Sequence, residues 1–453
     1  MSFRLYLLFF ALSFLRPFEL FAPELAVLRP MVILSTLTLI TSAVNVMQSK
    51  TIASRPIHIK LFFAIMVVLP LSQIANGWMG GALDSLSTFS LSLFMIFSTV
   101  ANVQDIVRLK TSCKVFAYSM TILAAAGAYS YHTGFMVDKL VLRQNIDLDE
   151  MAPAEVIENA IPADETSPQY LWRVRSVGLL ADPNDFGQAL VVAVPLLFGL
   201  YTKGRKIKNL FTVAIPMGMC LYTIYLTHSR GALLGIASLL FFGVRSILGT
   251  MKTITLMAIG GAGAMAVNLT GGRAYTANEE SAGGRIDAWS EGMRMLSSHP
   301  LFGVGHGSFM EHHYYTAHNS FVLCFAETGL IGYFIWLGLI VVVYKGLSHT
   351  IDSTALGSDE RTLAMMLRAG LIGFFTCAFF LSKAFDPLLY LLLGFCICVA
   401  YCADKATGDG AQTKQASPSP IAWIKATLSI EVISLVVIYM IVLVKTATVG
   451  KSI

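Results

Sequence analysis

The chain alternates long apolar runs with short polar connections over most of its length. A helix needs about 20 mostly apolar residues to cross a bilayer. About thirteen runs approach that length, centred on 5–22, 29–47, 60–77, 86–103, 113–133, 184–202, 208–228, 231–248, 253–270, 318–344, 364–382, 386–402 and 424–444. The pattern predicts an all-α polytopic membrane protein, a bundle of about 12–13 transmembrane helices.

Two polar stretches, about 134–183 and 270–317, are too long to be turns between neighbouring helices. We predict one transmembrane helical domain over 1–402, with these stretches as its long loops. Residues 403–423 are rich in Gly, Ser, Pro and charge, which predicts a flexible cytoplasmic linker. A last transmembrane helix and tail follow over 424–453. The first run lacks a small-residue cleavage site, so we expect a short first span there.

The basic residues predict the orientation, because Lys and Arg concentrate in the short cytoplasmic loops of membrane proteins. With the N-terminus inside, the even-numbered connections carry most of them, namely Lys50, Arg55, Lys60, Arg108, Lys110, Lys114, Lys203, Arg205, Lys206, Lys208, Arg245 and Lys252. The short odd-numbered connections carry far fewer, among them Arg16, Arg29 and Lys383. Both long loops therefore fall outside, which in a bacterium is the periplasm.

Composition supports a membrane protein, since 55% of residues are hydrophobic and only 13% are charged, against about 25% charged in soluble domains. The net charge of +5 does not indicate nucleic-acid binding, because the basic residues lie in loops between apolar runs. The seven cysteines lie mostly inside those runs, which is typical of packing residues and predicts no disulfide framework.

Arginines recur at the outer ends of the predicted spans. Arg230 lies in the short connection between spans seven and eight, where it either anchors a helix end or binds a ligand. Arg173 and Arg175 precede span six, whose start Asp182 or Asn184 can cap. Cations are unfavourable at the positive end of a helix unless an anion is expected there.

The second long loop holds Arg285 and five histidines, which are His299, His306, His312, His313 and His318. The stretch from Ile286 to Met295 has helical spacing, and Gly303, Gly305 and Gly307 predict a turn after it. The histidines show no metal-binding motif, so we predict no metal site. At the start of span ten, His318 beside Asn319 either is satisfied by water or acts as a general base.

One guanidinium group can donate to two phosphate oxygens at once, and it stays charged. Arg175, Arg230 and Arg285 together therefore favour a ligand with phosphate groups. An outward histidine adds the means to take a proton from a hydroxyl group. A lipid carrying a diphosphate is the natural membrane substrate for such a set.

Six short motifs in chain order carry a resemblance to a known family. They are Arg175-x-x-Gly178 with Asp182-Pro183-Asn184, Ser229-Arg230-Gly231-Ala232, Arg285-x-x-x-Trp289, Pro300-Leu301-Phe302-Gly303-Val304-Gly305, His318-Asn319-Ser320, and Glu327-Thr328-Gly329-Leu330-Ile331-Gly332. In order, spacing and topology the chain resembles the O-antigen ligase / Wzy-type polymerase superfamily over about 170–345.

The resemblance implies a multi-pass enzyme of the bacterial inner membrane with a periplasmic active face. It would transfer an oligo- or polysaccharide from undecaprenyl diphosphate to an acceptor hydroxyl, in exopolysaccharide or O-antigen biosynthesis. It needs neither metal nor cofactor. Its partners would be the lipid-linked glycan, an acceptor glycan or lipid, and membrane lipid, with no nucleic acid.

The resemblance also assigns roles to single residues. His318 would be the general base, and Arg230 and Arg285 would bind the diphosphate and stabilise its developing charge. The substrate-binding set would be Arg175, Arg173, Asn319 and Glu327. Nine residues beyond His318, Glu327 should lie about two and a half turns deeper, as an orienting carboxylate.

Two other classes remain open at this point. A transporter or flippase for a lipid-linked glycan should have broken helices at mid-membrane and internal repeats. The glycines from Gly260 to Gly263 in span nine could form such a break, but no matching segment lies in the other half. A structural scaffold would leave the arginines unexplained. The acceptor, which separates ligases from polymerases, has no motif in this sequence.

Overall fold

The computed structural model describes residues 2–48, 56–145, 160–167, 169–266, 280–406 and 420–449. Within them the chain forms α1 (Ser2–Leu15), α2 (Pro17–Phe21), α3 (Pro30–Gln48), α4 (Pro56–Ala75), α5 (Met79–Asn102), α6 (Ile106–Thr133), α7 (Val137–Leu140), strands β1 (Val141–Asn145) and β2 (Tyr170–Val174), α8 (Pro183–Phe198), α9 (Lys206–Asn209), α10 (Ile215–Leu226), α11 (Arg230–Leu248), α12 (Thr250–Ala266), α13 (Glu280–Ser298), α14 (Phe309–His312), α15 (Ser320–Ser353), α16 (Asp359–Ala378), α17 (Pro387–Ala406) and α18 (Pro420–Val449).

Every predicted apolar run coincides with one or more of these helices, which confirms the all-α polytopic class. Among the described residues, eight helices are long and apolar enough to cross a membrane, and Ser2–Leu15 and Arg230–Gly243 are shorter apolar helices. This is fewer than the 12–13 spans predicted. One reason is length: α8 has 16 residues, and a rise of about 1.5 Å per residue carries it only about 24 Å.

The first predicted span, 5–22, is interrupted. α1 ends at Leu15, and α2 begins at Pro17. Between them Arg16 has a left-handed backbone with φ of 43°. Proline cannot donate the hydrogen bond that would continue α1, and it disfavours helical geometry in the residue before it.

The chain divides into two compact units. Unit 1 comprises Met1–Ala43, Ile106–Thr276 and Met365–Cys377, and unit 2 comprises Val44–Asp105, Ala277–Ala364 and Ala378–Ile453. In unit 1, α6, α8 and α10 pack on one another, and α8 also packs on α11. In unit 2, α15 is central and packs against α4, α13, α17 and α18.

The first long loop contains a structure that the sequence did not predict. β1 and β2 form an antiparallel hairpin in which Val141 pairs with Val174 and Asn145 pairs with Tyr170. Its buried side holds Val141 and Trp172 together with Val137 of α7. The two strands are far apart in the sequence, and residues 146–159 of the connection lie outside the described residues.

The second long loop begins outside the described residues, at 267–279, and continues as α13. This helix confirms the helical spacing from Ile286 to Met295. Of the predicted linker over 403–423, the two ends belong to α17 and α18, and residues 407–419 lie outside the described part of the chain.

Candidate functional site

In unit 1, the first of the predicted site arginines is Arg173 on β2. Its Nε donates to the carbonyl oxygen of Thr227 at 2.9 Å, and its Nη2 donates to Oδ1 of Asn184 at 2.8 Å. Its Nη1 donates to Oε1 of Gln144 at 3.3 Å. The side chain is buried. Arg173 therefore ties β1, the start of α8 and the end of α10 together.

The start of α8 is capped as predicted. The carboxylate of Asp182 accepts from the backbone N–H groups of Asn184 at 2.7 Å and Asp185 at 3.4 Å. Pro183 is the first helical residue, where a missing N–H costs nothing. The cap fixes Asn184, which accepts from Arg173, at the N-terminal end of the helix.

Arg175 is half-buried next to this cap. Its Nη2 donates to the carbonyl oxygen of Asp138 at 3.0 Å, and its Nε is buried with no hydrogen-bond partner among the described residues. Burial lowers the pKa of the Arg175 guanidinium, and the charges of Asp182 and Asp138 oppose that shift. Arginine nevertheless stays cationic at neutral pH.

Arg16 is a further cation in this region, which the sequence had placed only in a short outer connection. Its guanidinium lies against Gly178, in the space that a side chain at that position would fill. Gly178 has φ of 63°, so both its conformation and the approach of Arg16 require glycine. Arg16 also pairs with Glu19.

Arg230 is the first residue of α11 and is half-buried. Ser229 caps this helix by accepting from the backbone N–H of Ala232 at 3.3 Å. α8 packs closely here, since a Cβ on Gly187 would lie 2.9 Å from Cβ of Ala232. The short connection predicted between spans seven and eight is confirmed, because only three residues separate α10 from α11.

In unit 2, His318 lies just before α15 rather than opening it. The helix begins at Ser320, and Asn319 caps it by accepting from the backbone N–H groups of Phe321 at 2.9 Å and Val322 at 3.1 Å. His318 has a left-handed backbone with φ of 44°, which is uncommon outside glycine. The buried Nδ2 of Asn319 has no hydrogen-bond partner within the described chain.

Trp289 links the helix of Arg285 to the turn of His318. Its indole N–H donates to the carbonyl oxygen of Ala317 at 3.0 Å, one residue before His318. Residues four apart on a helix lie on the same face, so Arg285 lies one turn from Trp289 on that side of α13. The structure thus brings Arg285 and His318 into one connected assembly.

The segment between α16 and α17 holds the other side of this turn. The hydroxyl of Ser320 donates to the carbonyl oxygen of Leu381 at 2.6 Å and accepts from the backbone N–H of Lys383 at 2.8 Å. Thr316 donates to Oγ of Ser382 at 2.8 Å. Lys383 forms an ion pair with Asp386 at 3.2 Å. His318 is therefore flanked by anchored residues on both sides.

α15 is broken two residues after Glu327, at Gly329, whose φ is 65°. The loop before α14 bonds to the opened backbone. Val304 N–H donates to the carbonyl oxygen of Ala326 at 2.9 Å, and Leu330 N–H donates to that of Pro300 at 2.8 Å. Side chains on Gly303 or Gly329 would collide with the facing backbone. The loop thus supplies the hydrogen bonds that the helix loses, as a membrane interior requires.

Glu327 is buried as predicted. Its carboxylate accepts from the backbone N–H groups of Gly307 and Phe309, the latter at 3.3 Å. These contacts attach the loop between α13 and α14 to α15. In the described structure Glu327 therefore has the contacts of a loop anchor.

The C-terminal end of α4 bonds to the same loop, through residues that the sequence analysis did not single out. Nε2 of Gln73 donates to the carbonyl oxygen of His306 at 2.6 Å. Oγ of Ser72 accepts from His306 N–H at 2.9 Å, and Nδ2 of Asn76 donates to the carbonyl oxygen of Gly303 at 2.8 Å. Three polar residues at the end of an apolar run were the available signal.

His306 is buried, with its ring edge-on to Phe385 at a centroid distance of 4.7 Å. Burial lowers its pKa from 6.5 to about 4, and the charge of Asp84 opposes the shift. The imidazole is therefore neutral at neutral pH. Within the described residues, no group of three His, Cys, Asp or Glu side chains is arranged to hold a metal ion.

Residues 215–337 match a family model described as O-antigen ligase. The matched segment covers about a quarter of the chain and runs from the start of α10 into α15. It contains Arg230, Arg285, His318, Asn319 and Glu327, whereas Arg173 and Arg175 precede it. A comparison with curated proteins finds no match.

Proposed function

The match over residues 215–337 confirms the resemblance to an O-antigen ligase-like family, and on that premise we propose a membrane glycan ligase or polymerase. The donor is an oligo- or polysaccharide on undecaprenyl diphosphate, and the acceptor is a hydroxyl group of a glycan or lipid. The reaction takes place on the periplasmic side of the inner membrane. The observation that carries the proposal is the anchored turn that joins His318 to the helix of Arg285 through Trp289.

The proposed reaction is a direct displacement at the anomeric carbon. His318 takes the proton of the acceptor hydroxyl, and the oxygen attacks the anomeric carbon. The bond from that carbon to the diphosphate oxygen breaks, and its electron pair leaves with the diphosphate. The new glycosidic bond therefore has inverted configuration. The left-handed backbone at His318 supports this role, since strained residues that surrounding contacts hold in place cluster at active sites.

The arginines act on the leaving group in this proposal. Arg230 and Arg285 bind the diphosphate and stabilise the charge that develops as it leaves, and Arg175 provides a further phosphate or sugar contact. The buried Nδ2 of Asn319 is a candidate donor to the substrate. Arg173 and Glu327 were predicted to bind substrate, but the contacts observed for both are internal. We propose that these two residues hold neighbouring segments of the site in place and do not bind the substrate.

A transporter is the competing class, and the break at Gly329 is the feature it would need. Here, however, the broken helix is closed by the backbone of residues 300–305, whereas transporter breaks line a substrate cavity. The glycines from Gly260 to Gly263 lie in the continuous helix α12. The structure thus offers no second break at the position that the sequence suggested.

The test is glycan transfer by purified protein, supplied with a lipid-diphosphate glycan and an acceptor. His318→Ala should abolish transfer, because His318 is the proposed acceptor of the hydroxyl proton. His312→Ala, an exposed histidine in the same loop, is the matched control and should transfer at the wild-type rate. Undiminished transfer by His318→Ala would exclude the base assignment. Movement of the lipid across vesicles without product would favour a transporter.

A further inference from the structure

The last helix, α18, runs antiparallel to α15 and is bonded to it at two levels. The hydroxyls of Tyr333 and Ser434 lie 2.7 Å apart, and Nζ of Lys345 donates to the carbonyl oxygen of Ala422 at 3.0 Å. The residue numbers rise along α15 as they fall along α18. Both bonded pairs lie after the break of α15 at Gly329, and towards its C-terminus α18 continues onto α13.

Lys445, near the end of α18, contacts α13. Its Nζ donates to the carbonyl oxygen of Gly283 at 2.6 Å and to Oδ1 of Asp287 at 2.8 Å. Gly283 and Asp287 are four residues apart and therefore share one face of α13. Lys445 thus bridges one turn of the helix that carries Arg285.

Arg285 lies on another face of the same turn. At about 100° per residue, it is rotated by about 200° from Gly283, so it points away from the side that Lys445 holds. Trp289 shares the face of Arg285 and is bonded to Ala317. One face of α13 is therefore held by Lys445, and the opposite face is held by the turn that precedes His318.

We propose that Lys445 is a positioning residue for Arg285, and that α18 is a working part of the transfer site although it lies outside residues 215–337. The inference rests on the proposed function, in which Arg285 stabilises the departing diphosphate. Lys445 fixes the rotation of α13 about its axis and so fixes the direction of the Arg285 guanidinium relative to His318.

The contact is suited to orientation more than to holding the fold. The Asp287 side chain is 66% exposed, and ion pairs of that kind contribute little to stability. Catalytic geometry is far more sensitive, since a misplacement of about 1 Å can cost about a hundredfold in rate. Loss of Lys445 should therefore lower the rate without unfolding the protein.

The experiment compares kcat and KM of full-length Lys445→Met, Lys445→Arg and the matched control Lys425→Met. Lys425 is an exposed residue on the same helix. We expect Lys445→Met to lower kcat about tenfold with little change in KM for the donor, because the interaction acts on the departing group. Lys445→Arg should recover most of the rate, and Lys425→Met should match wild type.

A second arm separates positioning from general damage. In an Arg285→Ala background, Lys445→Met should cost less than twofold, because its effect acts through Arg285. A full tenfold loss in that background, or a wild-type kcat for Lys445→Met alone, would overturn the inference while wild type still transfers glycan. Absence of transfer by wild type itself would instead overturn the proposed function and this inference with it.

Discussion

His228 and His318 share a backbone conformation that the sequence did not predict. Each has a positive φ, 49° and 44° respectively, and each stands one residue before a helix cap, Ser229 in unit 1 and Asn319 in unit 2. Left-handed geometry is costly for such side chains and persists only where surrounding contacts enforce it. The apolar runs predicted a helix start next to each histidine. The sequence could not predict the conformation of either histidine. At His318 the adjoining residues are held by Trp289 and Leu381, which are distant in the sequence.

At the same scale, His306 should make stability depend on pH. Its pKa is about 4 in the folded protein and about 6.5 as an ordinary histidine. Between these values the unfolded chain binds the proton and the folded protein does not, so stability rises with pH. The part of the stability that depends on a neutral His306 is fully present above pH 6.5 and is lost as pH falls towards 4. It amounts to about 2 kcal/mol between pH 7 and pH 5.

Thermal denaturation of detergent-solubilised protein at pH 7 and pH 5 measures this effect. His306→Phe removes the titration, and the backbone contacts of residue 306 to Ser72 and Gln73 can persist. Its midpoint should therefore fall less on acidification than that of wild type. His312→Phe is the exposed control and should behave as wild type does. An unchanged pH dependence in His306→Phe would contradict the buried neutral imidazole.

At the scale of elements, the broken helix α15 depends on the loop that precedes α14. Glu327→Gln keeps an oxygen that accepts from Phe309 N–H, so transfer should stay within a few-fold of wild type. Glu327→Leu leaves a buried N–H without an acceptor, which costs about 1–3 kcal/mol, and should lower both thermal stability and transfer. Both are measured on purified protein, with the exposed Glu311→Leu as control. Equal loss in the Gln and Leu variants would show that the carboxylate charge itself is needed.

Apolar run length was enough to predict most helices, because lipid-embedded backbone must be helical over each long run. The break at Gly329 was not predicted. Apart from the carboxylate of Glu327, the segment from Glu327 to Gly332 is as apolar as an intact transmembrane helix. The cause of the break is the distant pairing with residues 300–305. The hairpin of β1 and β2 was missed for the same reason, because its partners are separated by a long connection. The helix cap at Asp182 was predicted because capping is local.

At the scale of the whole molecule, the residues predicted to act together are divided between two units. Arg173, Arg175 and Arg230 belong to unit 1, and Arg285, His318, Asn319 and Glu327 belong to unit 2. Each unit arranges its set by contacts between residues far apart in the sequence. Arg173 bonds to the end of α10, for example, and α18 reaches back to α13. Sequence motifs located these residues, but only long-range packing shows which of them support the others.

The orientation of the whole chain is testable on α15. The part of α15 after the break at Gly329, Leu330–Ser353, extends about 36 Å at 1.5 Å per residue, more than a hydrocarbon core of about 30 Å. We therefore expect the segments that flank it to face opposite sides of the membrane. Tyr314 and Leu356 lie in these segments, and each is 87% exposed. All seven native cysteines are buried, so engineered thiols can be labelled above a low background.

We expect Tyr314→Cys to react with a membrane-impermeant maleimide in spheroplasts, because the loop of His318 is predicted to be periplasmic. Leu356→Cys should react only after the inner membrane is lysed, because it follows α15 on the side rich in Lys and Arg. Each variant serves as the control for the other. The reverse pattern would place the histidine in the cytoplasm, where it could not meet a glycan that has already crossed the membrane. Labelling of both in intact spheroplasts would mean that α15 does not span.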